Sequence, residues 1–117
     1  MDMESILSTT KKLAQLSDEY DVYDPDIIMY INSVFLTLKQ MGVGPAAGFV
    51  ISDENSTWNE FIPDNVSLRE AVKSYMGAKV RLKFDPPASS VLLEALKNTI
   101  SEDEWRLSFE SETTSTT

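Results

Sequence analysis

Oxygen ligands are the first chemistry this chain offers, because Asp18, Glu19, Asp21, Asp24 and Asp26 crowd into one short stretch. A calcium loop would need a glycine at its tight turn and a glutamate closing it at fixed spacing, and this stretch has neither and contains Pro25. It reads as a solvated acidic turn. Gly42-Val43-Gly44-Pro45 has the glycines of a phosphate-cradling loop. No Gly-Lys-Ser/Thr follows, however, and Pro45 stands where an amide donor is required. It reads as a helix stop. Glu102 and Glu104 are paired carboxylates without a partner motif for acid-base work. With no histidine and no cysteine, the chain lacks the commonest catalytic base, any thiolate nucleophile, any disulfide and any zinc-cysteine site. No catalytic residue, metal site or cofactor is therefore expected, and the chain does not read as an enzyme. The residues of interest become those that would touch other proteins.

Charge narrows the class of partner. Lys and Arg number 10 against 19 acidic residues, a formal net charge of -9, so the whole chain should be repelled by nucleic acid and by anionic membrane. No apolar run is long enough to span a bilayer, and MDMESILSTTKKLAQL lacks the charge order and apolar block of a signal peptide, so an intracellular protein is expected. The distribution is uneven: net -8 through Leu68, +3 from Arg69 to Ile100, and -4 beyond. A basic, partly apolar middle against an acidic remainder would suit head-to-tail self-association, in which one surface meets a different surface of the next copy. Acidic residues that merely solvate exposed faces would produce the same pattern.

The elements that would carry these charges are helices. The fold expected is mainly α, a small bundle of about four helices with one long connection able to hold a short β segment. One domain should cover residues 1–109, followed by a flexible polar tail over 110–117. A short helix over Ser5–Leu16 places Ile6, Leu7, Leu13 and Leu16 on one side. A second, Asp26–Met41, has Asp24 as a cap, Pro25 at its start, and Ile27, Ile31, Val34, Phe35, Leu38 and Met41 at three-to-four spacing. Gly42 and Gly44-Pro45 stop it. The connection Val43–Asn65 contains Phe49-Val50-Ile51, a candidate strand, and Trp58 and Phe61, where Ser56 or Thr57 would cap one short turn.

The third helix, Ser67–Phe84, is apolar on two sides. Leu68, Ala71, Val72, Tyr75, Ala78 and Leu82 form a core face, while Met76, Val80 and Phe84 lie opposite, with Arg69, Lys73 and Lys83 within about a quarter turn of them. Two readings stand open: this second face is a subunit interface, or the helix is central and covered by its own chain, with lysine stems lying over apolar atoms. On the first, Val80→Asp or Phe84→Asp abolishes assembly and leaves helicity intact. Asp85-Pro86-Pro87 then makes a rigid corner, and Ser89-Ser90 restarts a fourth helix with Leu92, Leu93, Leu96 and Ile100 at helical spacing. Ser101-Glu102-Asp103-Glu104 has the form of a capping box and points to a kink or a fresh start. Beyond it, Trp105, Arg106, Leu107 and Phe109 would make a partner anchor, since Trp and Arg dominate binding hot spots. A Trp105 folded back onto the first or second helix is the alternative.

Taken in order, DPDIIMYINSVFLTLKQMGVGP, ISDENSTWNEFIPD, LREAVKSYMGAKVRLKFDPPASSVLLEAL and the closing EWRL resemble the small head-tail connector proteins of tailed bacteriophages, over roughly Asp24 to Leu107. The resemblance implies a helical adaptor in the virion, assembled from monomers in the host cytoplasm. It would form a cyclic homo-oligomer, dodecameric in the virion, beneath the portal protein, with a tail-joining or stopper protein on its other side. DNA would pass through without being specifically bound. By resemblance, subunit contacts would involve Arg69, Lys73, Met76, Val80, Lys83 and Phe84 of the third helix. Phe49, Ile51, Trp58 and Phe61 of the connection would line the channel or touch a neighbour, and Trp105, Arg106, Leu107 and Phe109 would dock on the portal. The alternative reading is a small acidic phage-encoded regulator or DNA-mimic inhibitor acting by protein-protein binding.

Overall fold

The computed structural model describes residues 4–115, with side chains described for 4–17 and 21–109. Its elements are α1 (Ile6–Leu13), a 3-10 helix (Asp18–Tyr23), α2 (Asp24–Gln40), α3 (Trp58–Phe61), α4 (Val66–Phe84) and α5 (Ser90–Ser115). The architecture is a small helical bundle. No strand forms among the described residues, and Phe49-Val50-Ile51 is not one. An isolated bridge pairs Ser5 with Thr57 and ties the start of α1 to the connection.

Local chemistry explains most boundaries. Ser5 Oγ accepts from Ser8 N at 3.2 Å and starts α1. The helix stops short of Leu16 because Gln15 takes a left-handed conformation at φ 62°, which lets the Leu16 amide donate back to Lys11 O. Pro25 sits in the first turn of α2, where its missing N–H costs nothing. Asp24 is the first residue of that helix and not its cap, and Tyr23 takes the cap position. Gly42, at φ 85°, closes α2 as the Val43 amide reaches Leu38 O at 2.8 Å. Thr57 caps α3 reciprocally with Glu60, whose carboxylate accepts from Thr57 N at 2.9 Å. Asn65 caps α4 through Leu68 N at 3.0 Å, and Asp85-Pro86-Pro87 ends it.

Two expectations fail in α5. It is one continuous helix from Ser90 to Ser115, with neither kink nor restart at Ser101–Glu104. Those residues match a cap in type only, and here their backbone amides continue the helical ladder. The helix also runs on through 110–115, where a flexible tail was expected; Thr116 and Thr117 lie outside the described residues.

Helix α4 is the centre of the bundle, packed against α1, α2 and α5. That position accounts for apolar residues all round it. Val72, Tyr75, Met76 and Val80 are fully buried, and so are Ile27, Ile31 and Leu38 of α2, Ile6 of α1 and Leu107 of α5. Gly77 lies where α1 crosses α4.

Candidate assembly surfaces

The second face of α4 belongs to the core. Met76 and Val80 expose nothing, so the expectation that they form a subunit interface is corrected: α4 is covered on this side by its own chain. Arg69 and Lys73 are only 5% and 7% exposed, and both are satisfied within the molecule. Arg69 Nη1 donates to Ile62 O at 2.7 Å, pinning the end of the connection to α4, while Lys73 Nζ meets Glu70 at 2.7 Å and Glu4 at 3.4 Å. Such burial demands partners, because an unpaired buried charge is costly. Phe84 is half-buried, edge-on to Tyr30 with ring centroids 6.0 Å apart. Lys83 alone of the six is exposed, its ammonium 5.9 Å from the centroid of the Tyr30 ring.

The connection is also core. Phe35 of α2 packs on Phe61, Phe49 and Trp58 with centroids 4.7, 5.3 and 6.3 Å away, and Ile51, Trp58 and Phe61 are buried. Asn32 fixes the passing strand of chain with two hydrogen bonds, accepting from Ile51 N at 2.8 Å and donating to Ile51 O at 2.9 Å. Ile51, Trp58 and Phe61 are therefore corrected from channel or neighbour contacts to interior residues, and Phe49 is half-buried. Among the residues the connection presents outward are Val50 and the run Ser52–Asn55.

The acidic turn has a structural task. Lys11 of α1 binds both Asp21 and Asp24, the latter at 2.8 Å, and so ties α1 to the start of α2. Burial works to lower the Lys11 pKa, but the two aspartates outweigh it and hold the ammonium above its ordinary value. Among the described residues no group of three or more His, Cys, Asp or Glu side chains could hold a metal, and no helix is long and apolar enough to cross a membrane.

The C-terminal residues divide by face. Leu107 is fully buried against the bundle, so its expected place in a docking surface is corrected. Trp105 and Phe109 point outward, 70% and 55% exposed, stacked with centroids 5.8 Å apart and planes at 15°. Arg106 beside them is exposed and only loosely met by Glu102 at 3.9 Å. Helical geometry at about 100° per residue puts Val91 on the same outer side as Trp105 and Phe109, opposite Ile100 and Leu107. Val91 is 76% exposed.

A second outer stripe went unread in the sequence. Met29 and Leu36 of α2, 72% and 54% exposed, lie opposite the buried Ile27, Ile31 and Leu38. Their seven-residue spacing, two turns apart, was the available signal.

A helical bundle with a stacked, exposed aromatic pair on an outer helix and its buried Arg69 and Lys73 tied internally offers a surface for other proteins. The chain matches the family model described as phage connector protein over residues 6–114, and it belongs to that family. No curated protein and no solved structure matches it. Family membership gives the chain a connector-type structural role in the phage virion, in contact with other virion proteins.

Proposed function

We propose that this chain is a head-tail connector subunit that forms a ring under the portal, joins the DNA-filled capsid to the tail, and receives a tail-joining or stopper protein on its far side. The observation that carries this reading is the outer face of α5, where Trp105 and Phe109 stack on each other, 70% and 55% exposed. Exposed aromatics flanked by an arginine are the residue types in which binding hot spots are enriched. In this reading Trp105, Arg106 and Phe109 dock on the portal, and Lys83 with the outer edge of Phe84 serves a neighbouring subunit. A portal that is already symmetric raises the local concentration of bound subunits and so favours closure of the ring. The net charge of -9 keeps passing DNA from sticking.

One observation favours the second reading, an acidic regulator or DNA mimic. Burial of Arg69 and Lys73 leaves the surface more acidic than the sequence blocks suggest. Electron microscopy of portal particles incubated with the chain separates the two: added ring density on the portal is expected of a connector, and bare portals at saturating chain would contradict it.

A further inference from the structure

A groove of about 440 Å³ lies along α4 between α1 and α5. Small residues of α4, Ser74, Gly77 and Ala78, line it with Arg81, while Leu13 and Leu96 come from the flanking helices. Leu13 is 47% exposed there. Arg81 is the cation of this helix with a buried donor left without a partner among the described residues. Its Nε is buried with no hydrogen-bond partner, and among the described residues no carboxylate stands within ion-pair distance of its guanidinium. Lys73, lining the same groove, is by contrast met by Glu70 and Glu4.

We propose that this groove receives an acidic side chain from a second copy of the chain, with Arg81 as its anchor. A guanidinium is a planar donor fork that matches a carboxylate, and Arg81 brings one to the lining of the groove. The apolar surface of Leu13 and Leu96 beside it would exclude water and strengthen the pair. The chain carries 19 acidic residues against 10 basic ones, so it lacks partners for carboxylates and not for cations; a cation left unpaired in the monomer is complementary to the surplus on the next copy. Glu4 and Glu70 line the same groove and are engaged by Lys73, which leaves Arg81 to meet a single carboxylate and disfavours a polyanion such as nucleic acid. Because the donor and acceptor surfaces differ, the contact propagates head to tail, as a ring needs.

The inference rests on the ring reading, and its test keeps the two apart. Wild type, R81E and R81K are compared for assembled mass by light scattering, alone and on the portal, with thermal unfolding of each variant alongside. R81E should keep its melting transition and lose assembly by about tenfold or more. R81K should assemble, and carbodiimide should couple position 81 of one copy to a carboxylate of another, located by mass spectrometry. If wild type assembles and R81E assembles equally, with no linkage from position 81 in R81K, the inference falls and the ring reading stands. If wild type stays monomeric with and without the portal, both fall.

Discussion

A methyl group on Gly77 would lie 2.7 Å from the Cβ of Leu13, so α1 and α4 meet at the one position of α4 without a side chain. Glycine inside a helix costs about 1 kcal/mol relative to alanine, and the close crossing is what that cost obtains. Gly77→Ala should therefore destabilise the protein by about 1–2 kcal/mol in urea unfolding, overpacking outweighing the gain in helix propensity. Stabilisation instead would mean that α1 does not seat on α4 at this point.

Val80→Asp should unfold the chain. The side chain is fully buried, and an uncompensated buried carboxylate costs about 3–5 kcal/mol. Phe84→Asp acts on a half-buried ring and should lose mainly the edge contact to Tyr30, about 1 kcal/mol beyond area. Circular dichroism at 25 °C should thus collapse in the first and persist in the second.

These two residues show where the sequence was legible. Helix stops at Gly42 and Asp85-Pro86-Pro87, the cap at Thr57 and the core stripe of α2 were readable because each depends on chemistry local to a few residues. The role of Met76 and Val80 was not, since apolar periodicity states that a face is covered and never by which chain. The connection misled for a related reason: Phe49, Trp58 and Phe61 stand in irregular backbone, yet Phe35 gathers them into the core. At Ser101–Glu104 the residue types of a cap occur on the surface of an unbroken helix. Of the candidate docking residues, the outward pair Trp105 and Phe109 was visible as a four-residue spacing, but Leu107 between them turns inward.

Trp105→Ala with Phe109→Ala should leave stability within about 0.5 kcal/mol, because both rings are exposed, while abolishing co-sedimentation with portal particles. Leu107→Ala should do the reverse in order, costing about 2–5 kcal/mol of stability first. Equal losses of stability in the two variants would place Trp105 inside the fold.

Tyr75 joins α4 to α5 by donating its hydroxyl to Glu104 at 2.9 Å. Burial first, then the hydrogen bond and charge of Glu104, raise its pKa. A raised phenol contributes stability that is complete below the unfolded value, near pH 10, and is lost as pH climbs toward the folded one. Tyr75→Phe should lose about 1 kcal/mol at pH 7 and show a shallower alkaline decline than wild type in melting temperature between pH 9 and about 11.

Asp103, also on the α4-facing side of α5, is raised by burial, with Arg106 and Ser74 pulling it down and Glu102 pushing it up. A carboxyl raised in the folded state favours folding while protonated, and that contribution fades as pH rises through its folded pKa. Asp103→Asn should therefore gain in melting temperature relative to wild type on going from pH 4 to pH 7. A variant that loses melting temperature relative to wild type over that range would contradict the assignment.

The central claim, that the chain is an assembling connector subunit, is tested most directly by its mass in solution. Light scattering across a wide concentration range, alone and with the portal protein of the same virus, should give a ring, or a monomer that becomes multivalent only on the portal. A monomer that ignores the portal at high concentration would contradict the account and favour the acidic regulator.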